Sequence, residues 1–340
     1  MIKYLANDEK NITRPIWENI FEEDSESFLN YYYTYKNVDN KILCKFVDNY
    51  ISSMLHLNPY NMYINNKEYL SYYIVAVATL PEYRKKGHMS ELLYKSINDM
   101  YKENIPFAFL RPAKKEIYLP FDFEYIYNHI YLEFKDNSFK ELELCEEDYC
   151  EIADYTNSFL EKKYNVFCKR DYNYIKILHE EVKSENGNII KLFDKDKFIG
   201  YYIYWGLKEK IVRAIFVDDK YTKVKETKPL VMARIINLYE FFKNFSLKDK
   251  ENEICIYLNI KDSIINENNG LFKLNISDNG SYIEKVLKPF DENILEINIQ
   301  DLLSVFFGYK DLSLFTKNDY ILKNFSKINL LNKVFIDEEV

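Results

Sequence analysis

A strand, a basic turn and a helix follow one another in residues 71–97, and this succession constrains the chain more than any other feature. Residues 71–79 form an apolar run typical of a strand, and a helix is predicted from Ser90 onward. The turn between them contains three cations and one glycine: Arg84, Lys85, Lys86 and Gly87. A helix start offers unpaired N–H groups, and glycine lets a bulky anion approach the backbone. The segment therefore predicts a phosphate cradle.

The glycine pattern excludes two common nucleotide-binding loops. A triphosphate loop needs two glycines and Lys-Ser or Lys-Thr at the helix start, where this chain has His88 and Met89. A dinucleotide fingerprint needs three glycines. Of the seven glycines in the chain, only Gly87 lies in a basic strand-to-helix turn. We therefore expect one such site per chain, in its N-terminal part.

Length and charge narrow the class of protein. A chain of 340 residues indicates two or three domains. The net charge of −8 argues against general affinity for nucleic acid or anionic lipid. No apolar run approaches the roughly 20 residues that span a membrane, and the N-terminus lacks a signal-peptide core. We expect a cytoplasmic protein without membrane or nucleic-acid partners. Its five scattered cysteines predict no metal site.

The remaining segments predict mixed α and β structure. Helices are expected at residues 17–21, 28–33, 42–55, 144–164 and 302–307, and on the face formed by Met232, Ile235, Tyr239 and Phe242. Strands are expected at residues 107–110 (parallel to the first strand), 125–134, 189–193, 198–204, 211–217 and 254–260. Alternating apolar residues on both sides of residues 278–280 predict a hairpin.

Residues 77–89 resemble motif A of the GNAT N-acetyltransferases, whose Q/R-x-x-G-x-G/A turn binds the pyrophosphate of acetyl-CoA. Met89 departs from the small residue usual at the last position, although the backbone N–H does the binding. The resemblance implies that acetyl-CoA is the co-substrate and that its thioester and pantetheine meet the backbone of Val77, Ala78 and Thr79. It places the phosphates at the turn, with contacts from Arg84, Lys85, Lys86, Gly87, His88, Met89 and Ser90.

Five segments in order resemble the Eis (enhanced intracellular survival) family of tandem GNAT proteins: residues 78–84, 117–123, 170–172, 232–237 and 269–274. The resemblance implies an α/β (α+β) fold of two tandem GNAT-like mixed-sheet domains and a C-terminal α+β domain like sterol carrier protein 2. We call these the first section (1–133), the second section (134–224, without a CoA site) and the third section (225–340). A homo-oligomer, such as a hexamer, is also implied.

The same resemblance assigns two catalytic groups. Tyr118 matches the general acid, and a phenol of pKa about 10 can protonate a thiolate of pKa about 8.5. The C-terminal carboxylate, here that of Val340, is the implied general base, and Glu338 and Glu339 are expected to make its pocket negative. One alternative stays open for each group. Tyr118, which is one of 32 tyrosines, packs in the core and has no catalytic role. The acidic tail is frayed and does not reach the site.

The implied activity is direct acetyl transfer from acetyl-CoA to a cationic amine, such as an aminoglycoside, a polyamine or a lysine. An acidic loop either lines the amine pocket or is simply solvated: Glu22, Glu23, Asp24 and Glu26. Two other classes of protein remain open. One is a CoA-sensing or partner-binding protein whose transferase site has decayed, and the other is a lipid carrier that acts through the third section.

Overall fold

The computed structural model describes residues 1–135, 138–249, 253–277, 280–290 and 292–340. The first section contains β1 (Ile2–Tyr4), α1 (Arg14–Ile20), α2 (Glu26–Thr34), β2 (Lys41–Val47), β3 (Tyr50–Ile64), β4 (Lys67–Thr79), α3 (His88–Lys102), β5 (Phe107–Leu110), β6 (Glu124–Tyr125) and β7 (Asn128–Phe134). The predicted strand before the basic turn and the predicted helix after it are confirmed as β4 and α3.

The two later sections also mix helices and strands. The second section contains β8 (Lys140–Glu143), α4 (Tyr149–Glu161), β9 (Val166–Cys168), α5 (Tyr172–Ser184), β10 (Asn188–Asp194), β11 (Lys197–Trp205), β12 (Ile211–Val217) and β13 (Thr222–Pro229). The third section contains β14 (Met232–Ile235), α6 (Leu238–Phe242), β15 (Ile254–Lys261), β16 (Gly270–Ser277), β17 (Gly280–Lys285), β18 (Ile294–Asn298), α7 (Ile299–Phe306), α8 (Asp319–Phe325) and β19 (Val334–Phe335). The predicted α/β (α+β) fold class is confirmed.

A sheet of nine strands, counted over the described residues, joins all three sections. Its main path runs β1-β2-β3-β4-β5-β14-β6, and β9 pairs with β3 while β19 pairs with β9. The pairs β4–β5 and β9–β19 are parallel, and the former confirms the predicted direction of residues 107–110. Strands of the second and third sections complete this sheet, so the three sections are defined here by sequence and not by separate sheets. Their boundaries as domain limits stay a prediction.

The prediction of a helix at residues 42–55 is wrong, because β2 and the start of β3 occupy this segment. Consecutive residues there are fully buried on both faces, so the apolar pattern lacks the alternation that identifies a half-buried strand. The informative signal is the turn Asp48-Asn49, whose residues have φ of +48° and +66°. A two-residue turn with positive φ at both positions is typical of a β-hairpin.

The helix predicted on residues 232–242 is also wrong in its first half. Met232–Ile235 is strand β14, paired with β5 and β6, and only Leu238–Phe242 is helical. All four residues of β14 are buried, so the apolar spacing reflects burial in a sheet centre. Other limits shift: α4 is shorter than predicted, and β6 and β7 replace one strand at residues 125–134. The β16–β17 hairpin is confirmed, although its residues 278–279 lie outside the described part.

Candidate active site

Strand β4 separates from β5 at the position that the sequence assigns to the thioester. Ala76 has φ of +50°, and two residues of β4, Ala76 and Val77, lie opposite one residue of β3. Such a bulge bends a strand away from its neighbour. Within the described residues, β4 and β5 pair only at Tyr73 and Phe109. The edge of β4 that carries Val77, Ala78 and Thr79 therefore lacks a strand partner on the β5 side.

The basic turn has the geometry of an anion cradle. Gly87 is the N-cap of α3 with φ of +80°, and no side chain caps the helix. The N–H groups of His88, Met89 and Ser90 precede the first intrahelical bond, which Glu91 N donates to Gly87 O at 3.0 Å. A Cβ placed on Gly87 would meet no atom within 4 Å. The space over this helix start is therefore open, as a phosphate requires.

The side chains of the turn have different environments. Arg84 Nε donates to Thr79 O at 3.1 Å, so this arginine ties the turn to the end of β4. Lys85 and Lys86 are exposed, and Lys86 Nζ lies 5.4 Å from the centre of the Tyr83 ring. His88 is buried against Tyr83, and its burial lowers its pKa, which favours the neutral imidazole. Both lysines are exposed cations that can meet a phosphate at this turn.

Tyr118 lies just after the short 3₁₀ turn Lys115–Ile117. Its ring packs edge-on against Phe123, with ring centres 6.1 Å apart. Burial raises the pKa of Tyr118 to about 12, so the phenol carries its proton at neutral pH. Among the described residues its hydroxyl has no hydrogen-bond partner, which leaves the O–H available as a donor. The packing alternative is thus partly right, because the ring contributes to the core.

The C-terminal tail, residues 334–340, is buried. Its strand β19 pairs with β9, and Tyr127 Oη donates to Ile336 O at 2.5 Å. Tyr73 Oη donates to Glu339 O at 2.9 Å. Burial raises the pKa of the Tyr73 phenol, and Glu339 and Tyr118 add to the rise while Arg111 opposes it. The tail therefore lies against Tyr73 of β4, and the alternative of a frayed tail is wrong.

The last residue packs in the same apolar cluster as Ala76 of the β4 bulge. The Val340 side chain is buried in the apolar cluster that contains Trp17, Ala76 and Ala78. Its terminal oxygen accepts a hydrogen bond from Tyr60 Oη at 2.6 Å, and Lys36 Nζ donates to the same phenol oxygen at 2.6 Å. Burial lowers the pKa of Lys36 to about 8. Val340, the predicted base, thus shares an apolar cluster with Ala78 of the strand end that is predicted to bind the thioester.

The acidic residues near the C-terminus are less available than expected. Glu339 forms an ion pair with Arg111, which compensates its charge. Glu338 is 2% exposed and accepts a hydrogen bond from Tyr174 Oη at 2.7 Å. Burial raises the pKa of Glu338, and the adjacent Asp337 adds to the rise. A strongly negative pocket around these two carboxylates is therefore not what the structure shows.

The four acidic residues of the loop region between α1 and α2 differ in their exposure to solvent. Glu22, Glu23 and Glu26 are exposed, as in a solvated loop. Asp24 is partly buried and accepts a hydrogen bond from Trp17 Nε1 at 2.7 Å. Because Trp17 belongs to the cluster around Val340, Asp24 is the one member of the four that approaches the candidate site. A role in binding amines stays a prediction.

A cavity of about 240 Å³ opens between the end of α2, β3 and α5. Its lining joins the first section to the second and includes Lys36, Tyr60, Glu181, Arg213 and Glu338. Tyr60 therefore links the wall of this cavity to Val340 through its hydrogen bond to the terminal oxygen.

Two sequence-family matches cover the two ends of the chain. Residues 1–126 match the acetyltransferase (GNAT) domain, and residues 234–340 match the sterol carrier protein domain. No curated protein matches the chain. The order of the two matched domains is the order predicted from the sequence, and this prediction is confirmed.

Solved structures share the whole fold at low identity. A conserved protein of unknown function from Enterococcus faecalis V583, described as a probable N-acyltransferase, has a TM-score of 0.80 at 17% identity, with 96% of each chain covered. A GCN5-related N-acetyltransferase from Anabaena variabilis has a TM-score of 0.78 at 16% identity over 99% of each chain. Eis1 from Mycobacterium abscessus has a TM-score of 0.74 at 10% identity over 100% of each chain. At these identities the likeness shows the fold alone.

No group of three or more His, Cys, Asp or Glu side chains within the described residues is placed to hold a metal ion. No helix in the same part of the chain is long and apolar enough to cross a membrane. The expectations about metals, membranes, nucleic acid, cellular location and oligomeric state stay predictions.

Proposed function

We propose that this chain is an Eis-like GNAT N-acetyltransferase with a C-terminal sterol carrier domain, and that it transfers an acetyl group from acetyl-CoA directly to a cationic amine. The observation that carries the proposal is the burial of Val340, whose terminal oxygen accepts from Tyr60 and whose side chain shares an apolar cluster with Ala76 of the β4 bulge. An aminoglycoside, a polyamine and a lysine side chain are acceptors of the right chemistry.

The residues of the first section suit the donor. Backbone N–H groups at the start of α3 bind the pyrophosphate, and the open space over Gly87 admits it. Lys85 and Lys86 add positive charge, and the unpaired edge of β4 holds the pantetheine amides in the manner of an added strand. Bound acetyl-CoA supplies an activated acyl carbon as a thioester.

Two groups move protons in this mechanism. The Val340 carboxylate takes a proton from the acceptor ammonium, whose pKa in water is about 10.4, so that a neutral amine can attack. The hydrogen bond from Tyr60 fixes the direction of that carboxylate. Tyr118, which is protonated at neutral pH, donates to the departing thiolate.

The test is an acetylation assay over a panel of amines with acetyl-CoA. Three chains are compared: the unaltered protein, Tyr118→Phe, and a chain extended by two alanines after Val340. The extension moves the carboxylate by up to about 7 Å. We expect kcat to fall about 100-fold or more in both altered chains, because each loses one proton-transfer group. Acetyl-CoA affinity, measured by calorimetry, is expected to remain.

Matched controls are Tyr282→Phe, which alters an exposed phenol of β17, and a two-alanine extension at Met1. Full acetylation by both altered chains would overturn the mechanism. Acetyl-CoA binding by the unaltered chain without acetylation of any amine would favour the CoA-sensing alternative. Co-purified lipid, with no stabilisation by acetyl-CoA, would favour the lipid-carrier alternative.

A further inference from the structure

Two buried arginines of the second section hold the C-terminal tail. Arg170 Nη2 lies 2.7 Å from Asp337 Oδ1, and the two side chains are 1% and 4% exposed. Arg213 Nη2 donates to the backbone oxygen of Asp337 at 2.8 Å, and its Nη1 pairs with Glu181 at 2.7 Å. Asp337, three residues before the chain end, is therefore bound through both its side chain and its carbonyl.

The parallel pairing of β19 with β9 brings these groups together. Val334 lies opposite Val166, and Phe335 lies opposite Phe167. Because parallel strands advance in the same direction, the residues that follow Phe335 run alongside those that follow Phe167. Asp337 thereby reaches Arg170. The second section thus supplies both a strand for the tail to pair with and a cation at the end of that strand.

Arg170 is fixed by its own section. The Asn157 side chain accepts from Arg170 N at 2.9 Å and donates to Arg170 O at 2.7 Å. Arg170 Nη1 donates to Tyr201 Oη at 3.1 Å, and its guanidinium lies 4.7 Å from the centre of the Phe216 ring. These partners come from α4, β11 and β12. The guanidinium is therefore preorganised for a carboxylate that arrives from elsewhere in the chain.

Stability alone is a poor reason for this arrangement. Desolvating two charges costs about as much as their attraction returns, so a buried ion pair is weak support for a fold. Position is a better reason, because three residues span at most about 10 Å. A fixed Asp337 therefore confines the Val340 carboxylate to a small volume beside Tyr60.

We propose that Arg170 and Arg213 are positioning residues for the reaction, and that the second section acts as the receptor for the chain's own C-terminus. This inference rests on the proposed function, since it needs the Val340 carboxylate to act as the base. The arginines do not touch the reacting atoms. They act through Asp337 on the direction of the last residue.

The experiment is a double-mutant cycle that combines Arg170→Met with the two-alanine extension after Val340. In the unextended chain we expect Arg170→Met to lower kcat roughly 10- to 100-fold, since small misplacement of a catalytic group has effects of this size. The KM for acetyl-CoA should not change. In the extended chain the same substitution should lower the residual rate no further, because the tail no longer presents the base.

The matched control is Lys191→Met. Lys191 Nζ forms an ion pair with Asp148 at 2.6 Å within the second section. We expect it to lower thermal stability and to leave kcat of the folded protein unchanged. If Arg170→Met fails to fold, Asp337→Asn in the same cycle removes the tail's charge while keeping its shape, and the same loss of kcat is expected.

Three outcomes are decisive. An equal further loss of kcat from Arg170→Met in both backgrounds would show that Arg170 acts other than through the tail, and would overturn the inference. A loss caused by the extension but not by Arg170→Met or Asp337→Asn would overturn the inference and leave the proposed function standing. No loss from the extension would remove the proposed function itself.

Discussion

In both the first and the second section a helix follows a buried strand. The two helices differ in whether a side chain caps their N-terminus. In the first section α3 begins at Gly87 without a side-chain cap. In the second section α5 begins after Asp171, whose carboxylate accepts from Tyr174 N at 2.7 Å. An open helix start can bind an external anion, whereas a capped one has already satisfied a donor with its own charge. Of these two helix starts, that of α5 has a side-chain cap and that of α3 has none.

The cationic residues that precede the two helices also differ in their exposure to solvent. Lys85 and Lys86 are exposed on the turn before α3. Arg170, before α5, is buried and pairs with Asp337 of the chain itself. Cationic residues thus precede both helices, but one set faces solvent and the other holds an internal carboxylate. On the inference drawn above, the second section contributes to the reaction by holding the tail that carries the base.

The largest expected effect is a loss of acetyl-CoA affinity when a side chain caps the N-terminus of α3. Gly87→Asp puts a carboxylate where the second section has Asp171, so the cradle gains an internal anion. We expect acetyl-CoA affinity to fall about 100-fold, because charge-assisted hydrogen bonds of about 1.5–3 kcal/mol are lost. Calorimetric titration measures this loss. Gly280→Asp is the control, since Gly280 also has positive φ and open space. Equal acetyl-CoA affinity in Gly87→Asp would rule out this turn as the site.

Features formed by residues close together in the sequence could be predicted from it, whereas contacts between distant residues could not. The cradle was predictable because strand, glycine and helix start lie within one short stretch. The capping of α5 by Asp171 is equally local, yet Arg170 and Asp171 stand out in the sequence only as part of a segment that resembles a family motif. Tyr60, which holds the terminal carboxylate, is 280 residues from Val340. Contacts of Arg111, Arg170 and Arg213 with the tail are likewise distant, so no periodicity or spacing could indicate them.

The next effect separates what each section contributes to the tail. Tyr60 of the first section touches the terminal carboxylate, whereas the arginines of the second section touch Asp337. We expect Tyr60→Phe to lower kcat about tenfold, in line with the loss of one hydrogen bond to a charged group. The acidic limb of the pH–rate profile should move to higher pH, because the ionised carboxylate loses a donor.

The control for Tyr60→Phe is Tyr155→Phe, which removes a phenol that donates to Ile199 O and Phe216 O within the second section. It should leave the pH–rate profile in place. A tenfold loss in Tyr60→Phe with an unmoved acidic limb would mean that the phenol contributes only to packing.

Removing the side-chain cap of α5 is expected to lower stability without creating a second acetyl-CoA site. Asp171→Ala removes the cap of α5, and loss of such a cap costs about 1 kcal/mol. The free energy of unfolding should fall by about this amount in a urea titration. Acetyl-CoA stoichiometry should remain one per chain, because Arg170 stays buried against Asp337. Asn318→Ala, which uncaps α8, is the matched control. A second acetyl-CoA bound per Asp171→Ala chain would contradict the division of labour proposed for the two sections.

The smallest effect concerns the contact of the second section with Glu338. Burial raises the pKa of this carboxyl in the folded protein above its ordinary value of 4.5. A raised folded-state pKa means that stability is full below about pH 4.5 and is lost as pH rises through the folded value. Glu338→Gln cannot ionise, and its oxygen still accepts from Tyr174. Its melting temperature, relative to the unaltered chain, should therefore rise between pH 4.5 and pH 7.5, as measured by scanning calorimetry. Exposed Glu226→Gln should show no such trend, and a trend of opposite sign in Glu338→Gln would mean that the folded protein stabilises the charged form of Glu338.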